Sequence, residues 1–220
     1  MYDYNYFSVF YKRLPDLLET LYEHVIISGI AILLGCIIAI PIGIFLSWTS
    51  IRWIKSTILN ITNVFQTIPT LALLAMLLPL FGIGMKPAIV ALFLYSLMPI
   101  MKNTYAGFES IDSEIIQSAE GMGYSPLQRL LQIEIPLAVP YIMSGIRLTT
   151  VYIVSWAVLA GLIGGGGLGQ LIVTGMGLND QPLIIAASVF SMILVLITDF
   201  LLGTVEKLFS RKGQPEKQNV

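Results

Sequence analysis

The chain has 220 residues, of which 56% are hydrophobic and 11% charged, and its mean hydropathy is +0.83. Soluble domains carry about 25% charged residues, so this composition predicts a protein that is solvated mainly by lipid. The net charge of −1 argues against nucleic acid as a partner, because that partner requires a basic face. The single cysteine, Cys36, lies in an apolar run and is predicted to pack as a small hydrophobic residue.

Five stretches are apolar enough to cross a bilayer, which takes about 20 residues in a helix. The predicted spans cover residues 25–48, 58–80, 87–105, 137–163 and 183–205. Residues 1–24 are predicted to lie outside and residues 206–220 to form a cytoplasmic tail. The first run has no small-residue cleavage site, so we expect it to be retained. The sequence therefore predicts an all-α, polytopic membrane protein, with a bend at Pro69 in the second span.

The placement of lysine and arginine predicts which loops face the cytoplasm. If the loop 108–136 is cytoplasmic, eight basic residues lie inside, three lie outside, and Arg147, the twelfth, lies within the fourth span. The eight are Arg52, Lys55, Lys102, Arg129, Lys207, Arg211, Lys212 and Lys217, and the three are Lys12, Arg13 and Lys86. The reverse topology inverts this ratio. We therefore expect the N-terminus outside and the C-terminus inside.

The loop between the third and fourth spans contains the polar segment QSAEGMGYSPLQRLLQIEIPLAVP. Asp112 is a favourable N-cap for a first short helix, and the glycines of 121–123 are expected to end it. Ser125 followed by Pro126 marks the start of a second helix. Pro136 is expected to end that helix before the fourth span. The predicted product is a helix–turn–helix elbow on the cytoplasmic surface, and by helix pattern alone it could equally be an amphipathic connector in the headgroups.

The spacing within the elbow resembles the signature of the permease subunits of bacterial ABC importers. That signature is Glu-Ala-Ala, three residues, Gly, nine residues, then Ile-x-Leu-Pro. The corresponding positions here are Gln117, Ser118, Ala119, Gly123, Ile133, Ile135 and Pro136. Residues 117, 118 and 135 depart from the signature, whereas the second alanine, the glycine, the isoleucine and the proline match.

This resemblance implies a coupling helix that docks on a separate cytoplasmic ATPase. The implied contact residues are Gln117, Ser118, Ala119, Glu120, Gly123, Ile133 and Pro136. Because Gln117 replaces a glutamate, we hypothesise that Glu120 supplies the charge in that contact. The chain has no G-x-x-x-x-G-K-[ST] motif, so ATP is expected to be used by the partner, with no catalytic site, cofactor or metal on this chain. The other implied partners are a second permease subunit, identical or related, and an extracytoplasmic solute-binding protein.

Polar side chains recur at helical spacing along the second span. They are Ser56, Asn60, Asn63, Thr67 and Thr70. They either join neighbouring helices or line the translocation path, because polar groups in hydrocarbon need partners. On the fourth span Tyr152 and Trp156 share a face, which suits packing or cation–π contact with a quaternary ammonium ion. The sequence leaves both alternatives open for the polar stripe and for the aromatic pair.

Eight glycines fall between residues 161 and 177, on the predicted outer side. They permit close backbone packing and a broken turn, so we expect Gly164, Gly165, Gly166, Gly167 and Gly169 to belong to an outer gate. Arg147 and Asp199 lie in neighbouring spans at a depth where they could form an ion pair, and a structural bridge is favoured over a functional site. His24 is expected at the rim of the first span.

Two further stretches, TNVFQTIPTLALLAML (62–77) and LFLYSLMPIMKNTYAGFESID (92–112), resemble the osmoprotectant branch of the permease family. The implied cargo is glycine betaine, carnitine or choline. An importer of an amino acid such as methionine shares the five-span plan. A secondary transporter is disfavoured by the scarcity of intramembrane ionisable groups, and an intramembrane enzyme by the lack of a catalytic constellation. Five spans enclose a path poorly, so we expect a dimer.

Overall fold

The computed structural model describes the backbone of residues 11–213 and the side chains of residues 11–209. Regular structure in this range is helical, as the sequence predicts. The helices are α1 (Leu14–Trp48), α2 (Arg52–Thr67), α3 (Thr70–Phe81), α4 (Met85–Glu109), α5 (Ser113–Gly121), α6 (Pro126–Arg129), α7 (Ile135–Trp156), α8 (Leu168–Leu178) and α9 (Gln181–Gly213). A π-helical turn, Leu130–Glu134, precedes α7 and a 3-10 segment, Ala157–Ile163, follows it. The start of the predicted external segment and the end of the predicted tail lie outside the described residues.

Within the described residues, four helical stretches are long and apolar enough to cross a membrane by themselves. They are Leu14–Trp48, Met85–Glu109, Pro126–Ile163 and Gln181–Phe209. Helices α2 and α3 form a fifth crossing if the bent pair counts as one span. The prediction of five membrane crossings agrees with this arrangement, and α5 and α6 form the elbow between the third and fourth.

The first span begins at Leu14, eleven residues before the predicted boundary. Leu17 is fully buried in a cluster with residues of α8 and α9, so this early part of α1 packs against other helices. His24, which is predicted at the rim of the first span, is more buried than the sequence suggests. Its side chain is fully buried, and its Nε2 lies 2.9 Å from the carbonyl oxygen of Val154 on α7. A polar residue can occupy this buried position because α7 offers it a hydrogen-bond partner.

The second span bends at Pro69, as predicted. Helix α2 ends at Thr67, α3 begins at Thr70, and their axes differ by 98°. Proline has no amide hydrogen and disfavours helical backbone at the residue before it. Ile68 accordingly adopts an extended conformation, with φ −72° and ψ 129°.

The prediction that Pro136 ends the elbow's second helix is wrong. The chain runs from Pro126 to Ile163 as one helical stretch. Pro136 occupies the first turn of α7, just after the π-helical turn in which the amide of Ile135 donates to the carbonyl of Leu130. A π-turn changes the hydrogen-bond register, which accommodates the missing proline donor without a break. The elbow is therefore continuous with the fourth span.

The core lies where α1, α4 and α7 meet. Small residues on α1 allow α4 to approach closely, as is common in membrane proteins. A Cβ at Gly35 would lie 2.0 Å from the Ser96 hydroxyl, and one at Gly43 would lie 2.7 Å from the Cβ of Thr104. The two helices thus form a tight pair that runs along much of the bundle. The elbow lies at the end of α1 that carries Trp48, and the glycine-rich turn lies near its other end.

Candidate functional site: the elbow, the bundle face and the glycine-rich turn

Local capping builds the elbow. The Asp112 carboxylate accepts a hydrogen bond from the amide of Glu114 at 2.9 Å, which caps α5. Gly123 follows α5 with φ +85°, a conformation that favours glycine. Ser125 and Gln128 then form a reciprocal capping box at the start of α6. The sequence predicts the two N-caps and the turn, and the structure contains each of them.

The elbow presents a mixed polar and apolar surface. Five of the seven predicted coupling residues are exposed, Ala119 is buried and Ile133 is half-buried. The exposed five are Gln117, Ser118, Glu120, Gly123 and Pro136. Large apolar side chains are exposed beside them: Ile115, Met122, Leu127 and Leu131. Such a surface, with an apolar centre and polar neighbours, suits docking to another protein.

A chain of charged and polar side chains ties the elbow to α1. Arg129 contacts Glu120 on α5 and donates from Nε to Glu134 Oε1 at 2.6 Å. Glu134 is only 4% exposed, and its other oxygen accepts a hydrogen bond from Trp48 Nε1 at 2.9 Å. Sequence reasoning missed this network, which we call the elbow brace (Trp48, Glu120, Arg129 and Glu134). The one signal for this network in the sequence is Glu134 itself, an isolated acid within an apolar run.

The polar stripe of the second span lies on an open face. Ser56, Asn60, Asn63 and Thr67 are exposed in the single chain, and Thr70 is half-buried beyond the bend. The Asn60 amide donates to the Ser56 hydroxyl at 3.1 Å, so these neighbours also satisfy each other. Four of the five side chains of the stripe are thus open to the surroundings of this chain. The stripe is therefore available either to a path or to a second subunit.

An aromatic group lies beside the bend. Tyr152 and Trp156 stack at 5.9 Å between ring centroids, and Tyr95 meets Trp156 edge-on at 5.1 Å. The Tyr95 hydroxyl donates to the carbonyl of Ile68, where α2 has ended, and the Gln66 amide donates to the Tyr95 carbonyl at 3.0 Å. The predicted aromatic pair and the break thus form one structural unit. Tyr95, which joins them, was not predicted.

The glycine-rich turn is tightly packed against neighbouring backbone. Gly164, Gly166 and Gly167 have positive φ, and Gly165, Gly167 and Gly169 are buried. A Cβ at Gly169 would lie 1.8 Å from the carbonyl oxygen of Val158, so no other residue fits there. The turn also contacts the loop after α3, because the amide of Gly84 donates to the carbonyl of Ile163 at 3.1 Å.

The predicted pairing of Arg147 with Asp199 is confirmed. Arg147 on α7 makes two hydrogen bonds to Asp199, at 2.7 and 3.0 Å, and a third to Glu206 at 2.9 Å. Gly203 lies between the two acids on α9, where a Cβ would lie 2.9 Å from the guanidinium carbon. With its donors committed to α9, the arginine joins two spans, as a structural bridge does.

The chain thus combines membrane-crossing helices with an exposed elbow at one end and a glycine-rich turn at the other. A family model described as "Binding-protein-dependent transport system inner membrane component" matches residues 39–211. The chain belongs to this family.

Similar proteins place it within one branch. The chain is 43% identical to the choline transport system permease protein OpuBB of Bacillus subtilis (strain 168), over 90% of each chain. It is 41% identical to the carnitine transport permease protein OpuCB of Listeria monocytogenes, over 94% of each. A solved structure of the MetNI methionine ABC transporter shares the fold, with a TM-score of 0.82 at 22% identity over 90% of this chain and 98% of that one. The predicted resemblance to osmoprotectant ABC permeases is confirmed, and the family implies ATPase and substrate-binding partners in a multi-pass inner-membrane assembly.

Proposed function

We propose that this chain passes a quaternary-amine osmoprotectant, namely glycine betaine, carnitine or choline, across the cytoplasmic membrane. The observation that carries the proposal is the 43% identity, over 90% of both chains, to a choline permease. The stacked Tyr152–Trp156 pair gives it a chemical basis, because aromatic faces attract quaternary ammonium ions. A methionine cargo remains the alternative within this fold, since a methionine transporter shares it.

ATP hydrolysis in a separate pair of subunits drives transport, and those subunits dock on the elbow. The exposed apolar residues around Gly123 support this role, because they offer a partner a surface that is otherwise costly to leave in water. The continuity of α6 with α7 supports it further. A tilt of the elbow is transmitted to the fourth span without an intervening flexible joint.

The open face of the bundle lines the translocation path. Asn60, Asn63, Thr67 and Thr70 contribute polar groups from the bent span, and Tyr152 and Trp156 contribute aromatic faces. The exposure of Asn60, Asn63, Thr67 and Tyr152 in the single chain supports a dimer, in which a second permease subunit completes the path. The glycine-rich turn, with Gly164, Gly165, Gly166, Gly167 and Gly169, forms the outer gate that receives solute from a binding protein. The elbow faces the cytoplasm, the N-terminus lies outside and the C-terminus inside.

Uptake in proteoliposomes tests the proposed function. The permease is reconstituted with its ATPase and binding protein, and radiolabelled choline, glycine betaine, carnitine and methionine are supplied. We expect ATP-dependent uptake of a quaternary amine that persists when the proton gradient is collapsed. Tyr152→Leu is expected to reduce that uptake at least about fivefold, since a desolvated cation–π contact is worth ~1–2 kcal/mol.

Tyr22→Leu is the matched control, because Tyr22 is an exposed tyrosine on α1 that is not among the proposed path residues. Its uptake should equal that of the unmodified protein. Uptake of methionine alone would assign the cargo to the alternative. Uptake that stops with the proton gradient and ignores the ATPase would identify a secondary transporter instead.

A further inference from the structure

Helix α1 contacts the elbow although it is not joined to the elbow in the chain. Trp48, its last residue, donates from Nε1 to Glu134, and Glu134 also holds Arg129. Both carboxylate oxygens of this buried acid are therefore occupied, one by α1 and one by the elbow. Leaving a buried carboxylate without its partners costs free energy. A movement of Arg129 and Glu134 should therefore displace Trp48 and the end of α1 as well.

The same helix holds the glycine-rich turn near its other end. The Glu23 carboxylate accepts a hydrogen bond from the amide of Gly167 at 2.8 Å. The next residue, His24, is fully buried, with Nε2 at 2.9 Å from the Val154 carbonyl of α7. Gly166 and Gly167 pack directly on these two side chains, where a Cβ would lie 2.5 Å from Glu23 and 3.2 Å from His24. The turn thus rests on α1.

Between these contacts α1 is one continuous helical stretch, with Pro41 in its interior. At 1.5 Å per residue, Glu23 and Trp48 lie ~37 Å apart along the axis, close to the thickness of a bilayer. The contacts at Gly35 and Gly43 hold the helix against α4 along this length. A helix supported in this way transmits displacement as a rigid body rather than by bending.

We propose that α1 is a strut that carries elbow movement to the outer glycine-rich turn, with Trp48 and Glu23 as its two positioning residues. The inference rests on the proposed function, because it assigns the route by which movement caused by ATPase docking is transmitted to the outer gate. Helix α1 is then a third connection between the elbow and the outer end of the bundle, beside α4 and α7, which the chain joins to the elbow directly. Trp48 contacts Glu134 and Glu23 contacts the Gly167 amide, so each residue is expected to act through the group that it holds.

Binding-protein-stimulated ATP hydrolysis tests the strut. The reconstituted complex is measured with and without solute-loaded binding protein for Trp48→Phe, Glu23→Ala and the double variant. Phenylalanine keeps the ring but removes the indole donor, and alanine removes the acceptor of the Gly167 amide. We expect each single variant to assemble, to retain basal ATPase activity and to lose stimulation at least about fivefold, the lower end of usual coupling strengths. The double variant should lose no more than the stronger single one, because a strut cut at one end transmits nothing from the other.

Matched controls are Trp53→Phe and Glu19→Ala, both at exposed positions near the two ends of the strut. They should retain full stimulation. Glu134→Gln weakens the contact between Trp48 and the elbow from the elbow's side, so it should reduce stimulation as Trp48→Phe does. Unchanged stimulation in the single variants, losses that multiply in the double variant, or failure of these variants to assemble would overturn the strut. Absence of stimulation in the unmodified complex would instead contradict the proposed function.

Discussion

Gly43 shows how a single residue sets the spacing of two spans. A Cβ at this position would lie 2.7 Å from the Thr104 Cβ and 2.9 Å from the backbone carbonyl oxygen of Met101, so helix α4 would have to move. Overpacking of this kind costs about 1–3 kcal/mol. We expect Gly43→Ala to lower the free energy of unfolding by that amount, measured by denaturant titration of the detergent-solubilised protein.

Gly29→Ala is the control for this prediction. Gly29 lies on the same helix with open space where a Cβ would be, so alanine should be neutral or add up to ~1 kcal/mol through its higher helix propensity. Equal stability of the two variants would show that the α1–α4 approach is not limiting.

The contacts of Glu120 bear on whether it can supply the charge that is missing at position 117, where glutamine replaces the glutamate of the family signature. The Glu120 side chain is 58% exposed but already contacts Arg129 within the elbow brace. A partner's basic residue would therefore have to share or displace that arginine. The hypothesis that Glu120 supplies the charge missing at residue 117 stays a prediction, and the brace gives it a competing intramolecular contact.

At the scale of elements, Tyr95 stabilises the bend between α2 and α3. Its hydroxyl donates to the Ile68 carbonyl, which has lost its helical position at the break. This hydrogen bond is partly buried, and its loss costs about 1 kcal/mol. Tyr95→Phe keeps the edge-on contact with Trp156, so we expect a loss of that size in unfolding free energy without loss of the fold.

Tyr141→Phe serves as the comparison, because Tyr141 is exposed on the neighbouring α7. Removing its hydroxyl should leave stability unchanged. If Tyr95→Phe were equally neutral in the same titration, the bend would depend on Pro69 alone.

The elements that were predictable depend on local signals. Asp112, Gly123 and Ser125 specify the elbow through caps and a positive-φ turn that lie within a few residues of one another. Pro69 likewise bends its span through its own ring. Span positions follow from hydropathy, because the bilayer imposes a length that the sequence must meet.

The features that were missed depend on contacts distant in sequence. Burial of His24 requires the Val154 carbonyl, 130 residues away, and the role of Glu134 requires Trp48, 86 residues before it. The continuity at Pro136 depends on a π-turn that no local pattern announces. Such features arise only when the helices have packed, so a single sequence carries little signal for them.

At the scale of the whole molecule, the two ends of the bundle differ in chemistry. One end carries the elbow with its ion pairs, and the other carries tight glycine turns, where Gly84 and Ile163 join two connections by a hydrogen bond. Basic residues concentrate at the elbow end, so the positive-inside rule predicts that this end faces the cytoplasm. An ATPase acting from the cytoplasm requires the same orientation.

Labelling of single cysteines tests this orientation. Cys36→Ala provides a background without thiols, since the chain has one cysteine. Met122→Cys on the elbow and Ile83→Cys in the loop after α3 then supply matched probes, because these positions are 69% and 82% exposed. In intact cells a membrane-impermeant maleimide should label residue 83 and spare residue 122, and inverted vesicles should reverse the pattern. Labelling of residue 122 from outside would place the elbow beyond reach of a cytoplasmic ATPase, and the positive-inside assignment would be wrong along with it.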